Sequence, residues 1–160
     1  MATDFWANLV DGAVSAGTFI SLISNGVIAM WSPVIMVSPA DATRLPRVTT
    51  TTVSNDPLVL GVAVGGSGKI ENGQASSAAG DIVQVQIYGV TKLTVDGNVA
   101  NIVIGDYLIT HSTAGQARKV TAYPTTYAAG SIARYVFAKA MFASTVAGDT
   151  IVAFLTGGSQ

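Results

Sequence analysis

The stretch that decides the fold is SAAGDIVQVQIYGV, residues 77–90. A similar phrase, TVAGDTIVAFLTGG, returns at residues 145–158. In both phrases a Gly-Asp pair stands before a run rich in Val, Ile and aromatic residues, which favours a β-strand. Polar and apolar residues alternate through the first phrase, and this period of two predicts one buried face and one solvated face. We expect Val83, Val85 and Ile87 inside, and Gln84, Gln86 and Tyr88 outside.

The Gly-Asp pair occurs three times directly before an apolar run, as Gly80-Asp81, Gly105-Asp106 and Gly148-Asp149. Glycine adopts the left-handed backbone that reverses a chain, and a neighbouring Asp accepts hydrogen bonds from backbone N–H groups. We therefore predict that each pair fixes the start of a strand. Because a one-residue slip exchanges the two faces of a strand, a fixed start also determines which side chains reach the core.

The rest of the chain also reads as short strands separated by turns, which predicts an all-β fold. Residues 27–37 indicate one or two strands interrupted at Ser32-Pro33, since proline donates no ladder hydrogen bond. Residues 58–64 lack polar alternation and predict a strand buried on both faces. Asp96-Gly97 is a signal for a tight hairpin turn. The best helical candidate is residues 2–11.

The composition indicates a surface that is partly covered by other proteins. Charged residues make up 11% of the 160 residues, against about 25% in an ordinary soluble domain. The chain has eight basic and nine acidic residues and no basic run, which argues against nucleic acid as a partner. The chain has no Cys, so disulfides and thiolate metal sites are excluded.

Residues 12–40 carry no charge, which raises the possibility of a membrane span. A span needs ~20 mainly apolar residues in one helix. Gly12, Gly17, Gly26 and Pro33 divide this stretch into short apolar pieces. We therefore expect strands or an arm that packs against protein, and no membrane contact.

The polar residues predict no catalytic, cofactor or metal site. Five of the eight Asp residues adjoin Gly, which makes them turn residues rather than paired acid–base catalysts. His111 is the only histidine, and we interpret it as a surface or turn residue. GVAVGGSGK, residues 61–69, departs from a phosphate-binding loop because Ile70 stands where Ser or Thr is needed. The sequence therefore predicts a protein that is not an enzyme.

Large aromatic side chains and two arginines beside a proline are the candidate contact residues. Aromatic residues often anchor contacts between proteins, and arginine forms strong hydrogen bonds to carboxylates and carbonyls. Each of them is also compatible with an ordinary core or loop position. The candidates for contact with another protein or a neighbouring subunit are Phe5, Trp6, Trp31, Arg44, Arg47, Tyr123 and Tyr127.

Five strand phrases follow one another in the second part of the chain: LVLGVAV, AAGDIVQVQIYGV, IVIGDYLITHSTAGQARKV, YVFAKAMFAS and AGDTIVAFLTGG. Their order resembles that of the capsid decoration (cement) proteins of tailed bacteriophages. In that family a GVA-type strand is followed by a strand that begins with AGD, then by a GD-x-L strand with a Gly turn, and finally by a second pair of strands. Together the five phrases span roughly residues 56–158. Phe137 departs from the pattern, which favours Gly at that position.

The resemblance implies a small β-barrel or sandwich, with residues 1–40 as an N-terminal arm or added strands and residues 41–160 as the decoration domain. It also implies a homotrimer on the capsid exterior of a virion that braces the major capsid protein. A receptor- or carbohydrate-binding module of a tail or surface fibre is the alternative, because it uses the same architecture with exposed aromatic side chains. A small hydrolase is a third reading, which the missing acid–base pair disfavours.

Overall fold

The computed structural model describes residues 16–37, 46–121 and 136–156. Within these ranges the chain forms strands and one short 3-10 turn, Ile70–Asn72. This confirms the all-β fold class. The predicted helix at residues 2–11 lies outside the described residues. The strands are β1 (Ala16–Ser24), β2 (Ile28–Ala29), β3 (Pro33–Val37), β4 (Arg47–Thr50), β5 (Val59–Gly66), β6 (Gln74–Ser76), β7 (Ile82–Asp96), β8 (Tyr107–Thr110), β9 (Ala117–Lys119), β10 (Ala138–Ala140) and β11 (Ala147–Thr156).

Five strands close into a barrel in the order β1, β4, β3, β5 and β7, because β7 pairs with β1 as well as with β5. Four further strands form an outer sheet beside the barrel, in the order β11, β10, β8 and β9. This sheet begins on the second half of β7 and returns to it through the pairing of Val95 with Ala117. The two short strands β2 and β6 pair with each other.

Strand β7 is the shared element of the fold. Its first half pairs with β5 through residues 83–86, and its second half pairs with β11 through residues 88–96. Its other edge pairs with β1 along residues 82–90, with a bulge opposite Thr18 and Phe19. Residues 77–90 therefore lead into the central strand β7, and residues 145–158 contain β11, the main partner of β7 in the outer sheet.

Two hydrophobic cores follow from this arrangement. One fills the barrel and includes Val34, Ala63, Val83 and Val85. The other lies between the barrel and the outer sheet, where residues such as Val62 of β5 pack with Leu93 and Phe137. Neighbouring residues of β5 thus face different cores, which confirms that this strand is buried on both faces. Strands β1 and β3, which precede residue 40, pair within the same sheet as the strands that follow it, and the proposed division at residue 40 stays a prediction.

The first two Gly-Asp pairs act as the sequence predicts. Gly80 and Gly105 have φ of +96° and +94°, and β7 and β8 begin directly after Asp81 and Asp106. Oδ2 of Asp81 accepts hydrogen bonds from the N–H groups of Ser77 at 2.8 Å and Ala78 at 3.0 Å. Oδ2 of Asp106 likewise accepts one from Val103 at 2.8 Å. Each carboxylate therefore holds the turn that precedes its strand.

The third pair differs from the prediction because it lies inside its strand. Strand β11 begins at Ala147, and its register against β7 shifts between Ala147 and Asp149. Gly148, with φ of +74°, is the extra residue of this bulge. A Gly in the left-handed region is the usual residue at a bulge of this kind. The pair thus re-aligns a strand that has already begun.

The tight hairpin expected at Asp96-Gly97 is wrong. Strand β7 ends at Asp96, but the next strand, β8, pairs with β10 and β9 rather than folding back on β7. Oδ1 of Asp96 accepts a hydrogen bond from the N–H of Asn98 at 2.9 Å, which forms a side-chain turn instead. The N–H of Gly97 donates to the carbonyl of Val146 at 2.9 Å, so this turn is held by the other end of the chain.

Gln86 also differs from the prediction, because it is fully buried rather than solvated. It stands opposite Phe19 of β1 and Val62 of β5 in the sheet. Its Nε2 donates hydrogen bonds to the carbonyls of Tyr88 at 3.1 Å and Val90 at 3.0 Å. Burial of a polar side chain is tolerated where such bonds replace those to water.

Candidate interaction surface

The ionisable side chains of the described residues hold turns together rather than converging on one cleft. Oδ2 of Asp56 accepts a 2.6 Å hydrogen bond from the hydroxyl of Thr51, and Oδ1 accepts one from the N–H of Leu58 at 2.9 Å. Among residues 16–37, 46–121 and 136–156 no group of three His, Cys, Asp or Glu side chains is placed to hold a metal ion. These contacts make Asp56 a part of the fold, as Asp81 and Asp106 are through the turns before their strands.

His111 lies in the turn after β8, as predicted, but it is buried rather than on the surface. Its Nδ1 accepts a hydrogen bond from the N–H of Thr113 at 3.0 Å. Its Nε2 lies 4.0 Å from Oδ2 of Asp96. The imidazole therefore lies between the turn that follows β8 and the turn that follows β7.

Two of the predicted contact residues are described, and both are engaged within the fold. Trp31 is half-buried with φ of +66°, its N–H donates to the carbonyl of Ala63 at 2.7 Å, and its carbonyl accepts from the N–H of Thr94. The Nζ of Lys92 lies 5.8 Å from the Trp31 ring centroid. Trp31 thus bridges β5 and β7.

Arg47 is the other described candidate, at the start of β4. One guanidinium nitrogen, Nη1, donates to Oδ1 of Asn25 at 3.3 Å. Trp31 contacts β5 and β7, whereas Arg47 contacts Asn25, so these contacts do not join the two residues in one site. The remaining candidates lie outside the described residues: Phe5, Trp6, Arg44, Tyr123 and Tyr127.

Exposed apolar side chains gather at one end of the outer sheet. Backbone hydrogen bonds join the two segments that carry them, since Ile102 and Ser144 form a bridge and Gly105 donates to Ala140 at 2.8 Å. Ile104 is the most exposed of the group, at 72%. We call this group the apolar end, and its members are Val99, Val103, Ile104, Tyr107, Phe142 and Val146.

Charged groups border the apolar end. The Nζ of Lys119 forms an ion pair with Oδ2 of Asp106 at 2.9 Å. The Nζ of Lys139 lies 5.6 Å from the ring centroid of Tyr107. A large exposed apolar group with a polar border is typical of a surface that binds another protein. Sequence reasoning missed this surface, although the adjacent Val103 and Ile104 in a segment before a Gly-Asp turn are a usable signal.

Exposed side chains of β1 and β7 lie on both faces of the sheet that these strands form with β11. The rings of Tyr88 and Phe154 meet edge to face, with centroids 5.3 Å apart and planes at 78°. Thr18 and Thr156 pair with Tyr88 from opposite edges of β7. Thr18 and Tyr88 therefore lie on one face, and Ser21 and Gln84 lie on the other, because neighbouring residues of β1 alternate between faces and β7 has an extra residue at Ile87.

No helix among the described residues has the length and apolar character needed to cross a membrane.

Comparison with known proteins gives a structural likeness without a sequence family. No protein-family model matches the chain, and no curated protein sequence matches it. Among solved structures, the chain is similar to the N base of the head fiber protein gp8.5 of bacteriophage phi29, with a TM-score of 0.51 and 14% sequence identity. The likeness covers 89% of this chain and 97% of that one. At this identity it shows that the two chains share a fold.

Proposed function

We propose that the chain is a structural protein of a phage virion that attaches to the outside of the head. The observation that carries this proposal is the likeness to a phage head fiber base, which extends over nearly the whole of both chains. The order of strand phrases that resembles phage decoration proteins is independent support. Because one fold serves many functions, the proposal also depends on the exposed surfaces of this chain.

The apolar end is the surface that we assign to contact with the head. Ile104, Val103 and Phe142 are between 46% and 72% exposed, and covering them removes apolar area from water. Such burial contributes about 25 cal/mol per Å². Because a shell repeats its surface many times, even a modest contact of this kind is multiplied over the particle.

At a finer level we propose a decoration or cement role, in which a homotrimer braces neighbouring subunits of the major capsid protein. The work of such a protein is done by binding and requires no catalysis, cofactor, nucleic acid or membrane. The low charge of the chain fits this role, since 11% charged residues leave little to solvate a surface that is covered in the particle.

A receptor- or carbohydrate-binding module is the second candidate. The exposed ring of Tyr88, which meets the half-buried ring of Phe154, favours it, because flat aromatic side chains suit the apolar faces of sugars. The structural neighbour is also part of a fiber. The two candidates differ in location, since a decoration protein covers the head shell and a receptor module projects from a fibre.

The experiment mixes purified full chain with expanded heads that lack it, and measures bound copies per head and the temperature at which the heads disrupt. Saturable, stoichiometric binding with a higher disruption temperature supports the cement role. Stoichiometric binding without a change in heat resistance supports head attachment and removes the bracing role. Absence of binding to the heads, together with binding on a glycan array, would replace the proposal by the second candidate.

A further inference from the structure

We propose that Asn25 is a modification site, at which the side-chain amide is converted into a carboxylate through a succinimide ring formed with the nitrogen of Gly26. Asn25 and Gly26 follow directly on Ser24, the last residue of β1, and stand before β2. An Asn followed by Gly favours this reaction, because glycine has no Cβ to obstruct the approach of its nitrogen. The inference does not rest on the proposed function, and its test needs no heads.

The reacting atoms of this turn are accessible. Asn25 is exposed, and a Cβ added at Gly26 would meet no atom within 4 Å. The N–H of Asn25 donates to the carbonyl of Val48 at 2.8 Å, whereas the N–H of Gly26 makes no hydrogen bond within the part of the chain that the structure describes. The nitrogen that attacks therefore gives up no hydrogen bond when it loses its proton.

Arg47 places a positive charge at the carbonyl oxygen of the Asn25 side chain. Its Nη1 donates to Oδ1 of Asn25 at 3.3 Å, and the pairing of Arg47 with Ile23 holds it beside the end of β1. Negative charge develops on Oδ1 when the nitrogen of Gly26 attacks, and a donor already aimed at that oxygen stabilises the charge. We therefore expect Arg47 to speed the closure of the ring.

The reaction uses only hydroxide and water. Hydroxide takes the proton of the Gly26 N–H, the nitrogen forms a bond to Cγ of Asn25, and one electron pair of the side-chain carbonyl moves onto Oδ1. That pair returns as the bond between Cγ and Nδ2 breaks, and Nδ2 takes a proton from water and leaves as ammonia. Water then attacks one of the two ring carbonyls and breaks its bond to the nitrogen of Gly26. Residue 25 becomes aspartate or isoaspartate, with no oxidation or reduction.

The product supplies a partner for Arg47. The Nε of Arg47 is buried without a hydrogen-bond partner, and no carboxylate of the described residues forms an ion pair with this side chain. Aspartate and isoaspartate each carry a carboxylate, and a hydrogen bond between two charged groups is stronger than one to a neutral amide. The modification therefore reinforces the contact between the end of β1 and the start of β4, where two residue pairs join the strands.

The chain carries a second Asn-Gly pair, Asn72-Gly73, which serves as an internal comparison. It is equally accessible, since both residues are exposed and a Cβ added at Gly73 would meet no atom within 4 Å. Asn72 differs because it ends the 3-10 turn, whereas Asn25 lies in a bend. Ring closure requires rotation about the Cα–C bond of the asparagine, which a hydrogen-bonded turn resists. Among the described residues, Arg47 bonds to Asn25 and no arginine bonds to Asn72.

The test incubates the folded full chain in mildly alkaline buffer at physiological temperature, and follows the loss of each asparagine amide by peptide mapping with mass spectrometry. We expect Asn25 to convert roughly tenfold faster than Asn72, which corresponds to a modest difference in the barrier. The chain unfolded in guanidinium chloride is the control, because both pairs then react without their folded surroundings. In the unfolded chain the two rates should be similar.

Variants at Arg47 test the role of the guanidinium. Arg47→Met keeps a long side chain without the donors, and Arg47→Lys keeps the charge. We expect Arg47→Met to slow the conversion of Asn25 several-fold and Arg47→Lys to restore part of the rate, with the rate at Asn72 unchanged in both. An Arg47→Met variant that converts Asn25 at the original rate overturns the role given to Arg47. The comparison of the two Asn-Gly pairs needs no substitution, so it decides the inference even if a variant fails to fold.

Asn25→Asp installs the product directly. It should raise the unfolding temperature at low salt relative to the unchanged chain, and this gain should shrink at high salt, because salt screens an exposed ion pair. A lower unfolding temperature for Asn25→Asp at low salt overturns the reinforcing contact.

The remaining outcomes bear on the modification site itself. Equal rates at the two pairs in the folded chain, or faster conversion at Asn72, overturn the inference. An equal excess of Asn25 conversion in guanidinium chloride assigns the difference to the flanking sequence and overturns it as well. Because none of these measurements involves heads, the proposed function is decided separately by the head-binding experiment.

Discussion

The hydroxyl of Thr51 donates a 2.6 Å hydrogen bond to Oδ2 of Asp56, and both residues are buried. The N–H of Asp56 in turn donates to the hydroxyl of Thr110 at 2.8 Å, and that hydroxyl donates to the carbonyl of Val53. This set of bonds ties the segment between β4 and β5 to β8. It therefore joins the barrel to the outer sheet through buried polar groups.

We expect Asp56→Ala to lower the free energy of unfolding by about 2–3 kcal/mol, because Thr51 and the N–H of Leu58 lose a buried acceptor. Asp149→Ala is the matched control, since Oδ1 of Asp149 accepts a hydrogen bond from the exposed N–H of the next residue, Thr150. The control should cost at most about 1 kcal/mol. Urea denaturation followed by fluorescence measures both, and equal losses would show that the buried network contributes nothing of its own.

Gly80→Ala tests whether the left-handed backbone of the Gly80-Asp81 turn stabilises the fold, without a steric complication. A Cβ at Gly80 meets no atom within 4 Å, so the effect comes from the backbone angle of +96° alone. Left-handed backbone costs an L-residue about 1–2 kcal/mol. Gly26 also has open space but no left-handed angle, and Gly26→Ala should be neutral or slightly stabilising. A Gly80→Ala variant as stable as Gly26→Ala would show that the turn before β7 does not require a glycine.

Phe137 is the largest fully buried side chain of the described residues and packs in the core between the barrel and the outer sheet. We expect Phe137→Ala to reduce the free energy of unfolding by about 3–5 kcal/mol through the cavity that it leaves. Phe142→Ala, at a 46% exposed position, should change it by no more than about 0.5 kcal/mol. Thermal and chemical unfolding of the two variants give the comparison. Similar stabilities would place Phe137 outside a packed core.

The assignment of the apolar end predicts that Ile104→Asp abolishes binding to heads while the variant keeps its fold. Val27 is also exposed, at 57%, but lies between β1 and β2, so Val27→Asp should bind like the unchanged chain. Because the contact is apolar, binding should depend weakly on salt concentration. Co-sedimentation with heads at low and high salt measures both properties. Loss of binding with both variants would show that the apolar end is not the specific surface that contacts the head.

Several features of the fold were predictable because their signals are local. The left-handed angles of Gly80 and Gly105 follow from a Gly-Asp turn, and the two buried faces of β5 follow from its unbroken apolar run. Asp96-Gly97 misled because a hairpin and a side-chain turn share the same local signal. The hydrogen bond that distinguishes the side-chain turn from a hairpin comes from a distant segment, because the N–H of Gly97 donates to the carbonyl of Val146.

The candidate surfaces were harder to predict than the strands. The aromatic candidates are predicted from residue type; Trp31 bridges two strands, and its contact with a partner stays a prediction. The apolar end depends on the bridge between Ile102 and Ser144, a contact between distant segments that no local pattern encodes. Gln86 was assigned to solvent from alternation alone, whereas the neighbouring strands cover it.

The most direct test of the central claim is a cryo-electron microscopy reconstruction of heads assembled with the full chain. The account predicts density for this barrel and its outer sheet on the exterior of the shell, with Ile104 and Phe142 turned toward the major capsid protein. Density that places the apolar end in solvent, or a shell that carries no such density at saturating protein, would contradict the account.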